Sequence, residues 1–187
     1  MIVNTNKLKP ILQLNKGHYF NYDDPDSSNY DIEDVALGLS REARSNGHTS
    51  EFFSVAQHCV MVSHIVPDHL ALEGLLHDMS ESVMKDCPKP LKILIPGYVE
   101  IEHRVEASMA KKFGIKFPFD KEIKVADTIC FVTEKRDLSP DSKLDKMYKN
   151  IKPLDETIVP WSSKVAYKKF MQRYNQLTKV ALKKEKK

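Results

Sequence analysis

Apolar residues recur at helical spacing along most of the sequence, and no stretch shows convincing strand alternation. The clearest segment covers residues 73–86, EGLLHDMSESVMKD. Its apolar positions form one stripe, which comprises Leu72, Leu75, Leu76, Met79 and Val83. This spacing predicts a single buried helix. The same pattern elsewhere predicts about six or seven helices in total, so the expected fold class is all-α.

Capping residues and prolines set the bounds of the other predicted elements. Asp31 is a candidate N-cap of a helix that stops at Asn46-Gly47. Further helices are predicted from about 49 to 66, over 98–113, over 120–137 and from 161 towards the tail. The stretch 87–90, CPKP, closes the 73–86 helix because proline cannot continue one. Residues 1–30 are predicted to form an irregular arm, with a short extended piece at 18–22.

Length and composition predict one globular domain for the 187 residues, with an N-terminal arm at about 1–30 and a basic tail at about 179–187. The net charge of +3 is too small to indicate a nucleic acid polymer as partner. No stretch is apolar and long enough to span a membrane. Three cysteines without CxxC spacing, and no signal-peptide pattern, favour a reducing cytoplasmic location.

Candidate metal chemistry is distributed over three of the predicted helices. Two imidazoles and two carboxylates fall inside apolar segments, at His58, His77, Asp78 and Asp127. A lone histidine in such a helix is usually a satisfied core residue, whereas an aspartate is rarely buried without a partner. Taken together, the four side chains form a donor set that suits one divalent ion such as zinc, cobalt or manganese. Helix bundles build such sites from inward-facing side chains.

At these positions the sequence resembles the HD-domain phosphohydrolase superfamily, named for the order His, His-Asp, Asp. The pattern is carried by SVAQHC, LLHDMSE and VADTIC. The stretch HDMSESVMKDCPKPLK further resembles 5′-deoxynucleotidases of the YfbR type, and is still closer to short phage and prophage proteins of the YfdR type. Phage dATP triphosphohydrolases of the DatZ type are similar in size and share GHYFNY, R-x-x-G-H and TEKRDL. The resemblance covers roughly residues 16–175.

The resemblance implies an HD-type helical bundle in which His58, His77, Asp78 and Asp127 bind one divalent ion. Asp78 and Glu81 are then the expected catalytic residues. Glu81 matches the HD-x-x-E carboxylate that is implicated in activating the attacking water. The alternative for Glu81 is a solvated position on an amphipathic helix.

Substrate contacts are implied for five further residues: Arg44, His48, Asp86, Lys89 and Lys92. Asp86 matches an aspartate that faces the sugar, Arg44 matches a phosphate-binding arginine, and His48 joins it. The alternatives are a plain turn residue for Asp86, a surface arginine for Arg44, a helix cap for His48 and solvent-facing lysines. Ser45 departs from the family, whose members often carry an aromatic residue after this arginine.

The implied activity is a metal-dependent phosphohydrolase that acts on deoxynucleotides. Two reactions remain open, namely release of phosphate from a 5′-deoxynucleoside monophosphate and release of triphosphate from a deoxynucleoside triphosphate such as dATP. A guanosine-alarmone hydrolase and a non-catalytic nucleotide-binding HD module are the alternatives. The module is disfavoured because all four ligands and Glu81 are present. HD nucleotidases are often dimers or hexamers, so the resemblance leaves a homo-oligomer open, and the sequence indicates no interface.

Overall fold

The computed structural model describes residues 8–139 and 146–184, with side chains described as far as residue 179. Residues 1–7 of the predicted arm and 185–187 of the predicted basic tail therefore lie outside the described residues. The described chain is mostly helical, which confirms the all-α prediction. Its elements are β1 (Ile11–Gln13), β2 (Tyr19–Asn21), α1 (Ile32–Arg41), α2 (Val55–Ile65), α3 (Ala71–Leu76), α4 (Glu81–Met84), α5 (Lys89–Lys92), α6 (Tyr98–Phe113), α7 (Lys121–Leu138) and α8 (Ser163–Lys184).

A small antiparallel hairpin, β1–β2, forms most of the described arm, with Leu12 opposite Phe20. The extended piece predicted at 18–22 is confirmed, but its three-residue partner strand is too short to show alternation in sequence. Phe20 is fully buried. The Tyr22 hydroxyl donates to the carbonyl oxygen of Val83 at 2.5 Å, and Arg104 donates to the Tyr22 carbonyl at 2.8 Å. The arm is therefore fastened to α4 and α6.

Helix α1 is capped by Asp31, which confirms the predicted N-cap, and the cap is a reciprocal capping box with Asp34. The Asp31 carboxylate accepts hydrogen bonds from the backbone N–H groups of Glu33 and Asp34, at 2.8 and 3.1 Å. The Asp34 carboxylate accepts in return from the Asp31 N–H at 2.9 Å. These bonds satisfy N–H groups that have no partner inside the helix.

Helices α1 and α2 are both shorter than predicted. Helix α1 ends at Arg41, rather than at residues 46–47, because the chain becomes extended at Glu42. The Val55 N–H donates to the Glu42 carbonyl at 3.0 Å, and the Arg44 N–H donates to the Phe53 carbonyl at 2.9 Å. Because residues 53–55 pair with 42–44, α2 begins only at Val55, and Ser54 is its N-cap.

The predicted helix over 73–86 is interrupted, which corrects the expectation of one continuous element. Helix α3 ends at Leu76 and α4 begins at Glu81. Between them, the Met79 N–H donates to the Leu76 carbonyl, and the Glu81 N–H donates to the Asp78 carbonyl, both at 3.0 Å. These three-residue steps tighten the chain into turns. The apolar stripe is nevertheless buried, as predicted, and includes Leu75, Leu76, Met79 and Val83.

The core lies where α8 packs against α1, α2 and α3. Ala166 and Phe170 on α8 are fully buried in it. Helix α1 also lies against α4 at a glycine, since a Cβ atom on Gly38 would be only 2.7 Å from the Ser82 carbonyl oxygen. Helix α2 contacts α7, which brings the middle of α7 to the same region. Among the described residues, no helix combines the length and apolar character needed to cross a membrane.

Candidate metal centre

Three segments bring the four predicted ligands to one place. His58 is fully buried in α2, where an apolar helix positions its ring close to α3 and α7. His77 and Asp78 lie in the turn between α3 and α4, so the helix break places them side by side. Asp127 projects from α7, about two turns after the Asp120 N-cap. Burial of this many polar side chains is costly unless they bind something.

The donor atoms of these side chains converge. His58 Nε2 lies 3.3 Å from His77 Nε2, 3.5 Å from Asp78 Oδ2 and 3.4 Å from Asp127 Oδ1. His77 Nε2 lies 3.3 Å from Asp78 Oδ1. Ligands bound about 2.0–2.2 Å from one ion at tetrahedral or octahedral angles lie about 3.0–3.5 Å from each other. The donor atoms of His58, His77 and Asp78 all lie within 4.8 Å of one another, which fits a single divalent ion. Asp127 lies close to His58 and outside this group of three, so its part as the fourth ligand stays a prediction.

The Nδ1 atom of each imidazole, on the side of the ring opposite Nε2, hydrogen-bonds to an acceptor. His77 Nδ1–H donates to the Gly74 carbonyl oxygen at 2.9 Å. His58 Nδ1 lies 2.6 Å from Glu134 Oε1, and an ionised carboxylate requires the nitrogen to be the donor. With the proton on Nδ1, the Nε2 lone pair of each ring is free to bind a metal. Both hydrogen bonds therefore set the tautomer that a metal ligand needs.

Carboxylates outnumber cationic side chains around these rings. Arg44 Nη1 lies 3.5 Å from Asp78 Oδ2 and 3.7 Å from Asp86 Oδ2, while Arg44 Nε lies 3.6 Å from Glu134 Oε2. Burial works against ionisation of Asp78, but the nearby His77, His58 and Arg44 lower the pKa of its carboxyl group. Burial likewise opposes the charge of Glu134, and Arg44 and His58 outweigh it, so this pKa is also lowered. An excess of buried negative charge favours binding of a cation.

Glu81 lies at the beginning of α4, where it is close to Asp78 and His58. It is only 7% exposed, so the alternative of a solvated helix residue is wrong. Its Oε2 atom is buried and has no hydrogen-bond partner among the described residues. Burial and the neighbouring Asp78 carboxylate raise the pKa of the Glu81 carboxyl group well above its ordinary value. A buried oxygen without a partner is suited to hold a water molecule or a substrate proton.

Two of the predicted substrate residues lie directly beside the ligands. The Arg44 side chain is 11% exposed, so Arg44 is not a surface arginine. Its turn, residues 44–47, is fastened by Asp86, whose Oδ2 accepts a hydrogen bond from the Ser45 N–H at 3.1 Å. Asp86 is thus more than a plain turn residue.

The remaining predicted substrate residues lie further out. Lys92 is half-buried and pairs with Glu102 on α6 at 2.5 Å. Lys89 is exposed on α5. His48 is exposed at the end of its turn; it does not cap α2, because Ser54 does. Roles for these three in substrate binding stay predictions.

Two charged residues of the site were missed by sequence reasoning. Glu134 lies seven residues after Asp127, two helical turns away, and therefore on the same face of α7. Lys124 lies three residues before Asp127 and donates a hydrogen bond to Asp127 Oδ2. Helical spacing from a candidate ligand was the signal that could have identified both.

Two other features are separate from this centre. A cavity of about 800 Å³ lies between α2, α8 and residues 154–161, and Gln57 lines it while His58 does not. Among the described residues, one set of possible ligands does not include His58, and it comprises His18, Asp31 and Asp34. There the aspartates form the α1 capping box, and His18 Nδ1 lies 2.5 Å from Asp34 Oδ2. Both features are built from residues other than the four convergent ligands.

Comparison with known proteins places the chain in a family. No protein-family model matches the sequence. The uncharacterized protein YfdR of Escherichia coli K12 is 37% identical over 167 residues, which cover 88% of this chain and 93% of YfdR. The chain belongs to the YfdR family. An uncharacterized protein of Rhodobacter capsulatus is 36% identical over 120 residues, which cover 57% of this chain and 61% of that protein.

The part of the chain that aligns with YfdR includes the candidate site. An alignment that covers 88% of this chain necessarily includes residues 58–127. The convergent histidines and aspartates therefore lie within the region shared with YfdR. This agrees with the resemblance to the YfdR type at residues 77–92.

Proposed function

We propose that this YfdR-family chain is an HD-type, divalent-metal-dependent phosphohydrolase that acts on deoxynucleotides. One observation carries the proposal. His58 Nε2 lies 3.3–3.5 Å from donor atoms of His77, Asp78 and Asp127, near a largely buried arginine and a buried carboxyl oxygen without a partner among the described residues. Ligands, an anion-binding side chain and a candidate base are the parts that metal-assisted phosphate hydrolysis requires.

In the proposed reaction a bound metal would stabilise negative charge, and the protein side chains would position the water and the substrate. When bound, a divalent ion would polarise a phosphoryl oxygen and increase the acidity of water. In this proposal Glu81 holds the attacking water and accepts its proton, which is supported by its buried Oε2 atom without a partner among the described residues. His58 and His77 keep their Nδ1 protons on fixed acceptors, so their orientation does not change during turnover.

Arg44 and Asp86 are the proposed substrate contacts nearest the metal. The Arg44 guanidinium is planar and offers paired N–H donors, which match two oxygen atoms of one phosphate group. It faces carboxylates on both sides, at Asp78 and Asp86, so it is already oriented before substrate arrives. Asp86 can accept a hydrogen bond from a sugar 3′-hydroxyl and leave little room for a 2′-hydroxyl.

Cationic side chains at the rim extend the phosphate site. Lys124 pairs with Asp127, Lys89 lies near Lys124, and Lys92 pairs with Glu102. Burial alone would lower the pKa of Lys124, but the carboxylates of Asp127 and Asp78 outweigh it, so this pKa is raised. A single phosphate needs few of these charges, whereas a triphosphate uses several. Both the monophosphate and the triphosphate reaction are therefore part of the proposal, with His48 as a further contact.

The deciding experiment offers each nucleoside mono- and triphosphate, deoxy and ribo, to the protein with zinc, cobalt or manganese. Products are separated by chromatography. Phosphate from a deoxynucleoside monophosphate, or triphosphate from a deoxynucleoside triphosphate, identifies the reaction. Hydrolysis of a guanosine alarmone alone would favour the alarmone hydrolase. Binding of metal and nucleotide without hydrolysis of any compound would contradict catalysis and favour a non-catalytic module.

A further inference from the structure

We infer that Glu134 is a positioning residue that holds a metal ligand and the phosphate-binding arginine at the same time. Its two carboxylate oxygens face different partners. Oε1 lies 2.6 Å from His58 Nδ1, and Oε2 lies 3.6 Å from Arg44 Nε. The inference rests on the proposed function, because it assigns Glu134 a part in that same site. Glu134 itself does not touch substrate or the reacting atoms.

The surroundings of Glu134 leave these contacts as its main stabilisation. Glu134 is 4% exposed, so water does little to solvate its charge. Its third neighbour, the Cys130 Sγ atom, lies 3.5 Å from Oε1 and is a weak donor. Arg44 Nε is itself buried without a hydrogen-bond partner among the described residues, and it faces Oε2. The carboxylate therefore bridges two groups that come from different parts of the chain.

A carboxylate is required at this position because both partners are N–H groups. Each oxygen of Glu134 can serve one of them. A glutamine has a single acceptor oxygen, and its NH₂ group would face either the His58 Nδ1–H or the Arg44 Nε–H. Glu134→Gln therefore preserves shape but disturbs one partner or both. Glu134→Asp retains two acceptor oxygens on a side chain that is shorter by one methylene.

The first measurement concerns the metal and needs no turnover. Cobalt(II) binding is followed by calorimetry and by the visible absorption of the bound ion, for wild type, Glu134→Gln and Glu134→Asp. We expect Glu134→Gln to weaken cobalt binding about 10–100-fold, as is usual for loss of a partner behind a ligating histidine, and to change the absorption. Glu134→Asp should lie in between. Wild-type affinity and absorption in Glu134→Gln would overturn the inference.

A matched control distinguishes positioning from general disturbance of α7. Thr133 is fully buried on the same helix, next to Glu134 in sequence. Its hydroxyl donates to the Ile129 carbonyl at 2.8 Å and accepts from the Leu154 N–H at 3.0 Å, away from His58. Thr133→Val should lower the melting temperature and leave cobalt affinity unchanged. If both substitutions weaken cobalt binding equally, Glu134 has only a structural role. Should Glu134→Gln fail to fold, Glu134→Asp against the same control gives the decision.

The second measurement concerns the arginine. Inorganic phosphate binding is measured on cobalt-saturated wild type, Glu134→Gln, Arg44→Ala and the double variant. We expect Glu134→Gln to weaken phosphate binding about tenfold when Arg44 is present and to have little further effect in Arg44→Ala. Equal weakening in both backgrounds would overturn the link to Arg44. Since neither measurement uses a nucleotide, failure to hydrolyse any nucleotide would reject the proposed function without altering these outcomes.

Discussion

Arg44 Nη1 lies 3.5 Å from Asp78 Oδ2, although the two residues are 34 positions apart in the sequence. Asp78 also faces His58 and His77, so this contact joins the candidate phosphate side of the site to its metal side. A phosphate oxygen that displaced Asp78 from Arg44 would arrive next to the ion. Metal binding and phosphate binding are therefore expected to depend on each other.

Removal of the central carboxylate should remove the metal. Asp78→Asn replaces an anionic candidate ligand, which lies between two imidazoles, by a neutral side chain. His77→Ala removes a candidate ligand entirely. Both variants should lose stoichiometric binding of one divalent ion and nearly all hydrolysis. Elemental analysis after dialysis and a nucleotide assay are the measurements. Asp26→Asn is the control, because Asp26 is exposed and pairs with the surface groups of Lys111 and Ser108. Full turnover by metal-stripped wild type in chelator would contradict the metal requirement.

Loss of the Glu81 carboxylate should separate binding from chemistry. Glu81→Gln should retain the metal and bind nucleotide, while kcat falls roughly a hundredfold or more, because the group that accepts the proton of the attacking water is gone. Steady-state kinetics with parallel metal analysis tests this. Glu122→Gln, at an exposed position on α7, makes the same chemical change away from the site. Unchanged kcat in Glu81→Gln would remove Glu81 from catalysis.

Asp86 should determine the preference for deoxy sugars. Crowding or an unpaired 2′-hydroxyl costs about 1–3 kcal/mol, which corresponds to about tenfold to hundredfold discrimination. Asp86→Ala should lower both the rate and this discrimination, measured as the ratio of kcat/KM for a deoxynucleotide and its ribo counterpart. Asp86→Asn, which keeps an acceptor for the Ser45 N–H, should retain more of the ratio. Identical ratios in wild type and Asp86→Ala would exclude the role, and a wild-type preference for ribonucleotides would contradict the deoxynucleotide proposal.

Because α1 and α4 are in close contact, a glycine-to-alanine substitution in α1 is expected to lower the free energy of unfolding rather than raise it. Alanine in place of a helical glycine ordinarily stabilises by about 1 kcal/mol. At Gly38 the new methyl group would lie 2.7–2.9 Å from the backbone and Cβ of Ser82, so the helices must separate. Gly38→Ala should therefore destabilise by about 1–3 kcal/mol, measured by denaturant unfolding. A stability equal to or above wild type would show that α4 moves freely.

Local signals made α6 and α7 predictable from sequence. Gly114 ends α6 in a left-handed conformation, and the Asp120 side chain caps α7 by accepting from the Glu122 N–H at 3.0 Å. Such caps depend on residues a few positions apart. The four metal-ligand candidates were predictable for a different reason, since polar side chains stood inside apolar helices.

Interactions between distant segments were not predictable in this way. The end of α1 depends on pairing of Glu42 with Val55, and this pairing overrides the helical preference of the residues that follow Arg41. The break at 77–80 likewise places His77 and Asp78 in a turn that no local signal in the apolar stripe announces. Glu134 was missed because its importance comes from contacts with His58 and Arg44, neither of which is near it in the sequence.

Helix α8 contributes no ligand among the four candidates, yet it packs on α1, α2 and α3 and buries Ala166 and Phe170 among them. All four candidate ligands precede it in the chain. During synthesis the four candidate ligands therefore leave the ribosome well before α8, which packs on the helices that carry or adjoin them, has been made. Because ligand geometry and folding are coupled, we expect stable capture of the ion only after α8 has emerged and docked. The timing of metal insertion in the cell would then be set by the synthesis of α8.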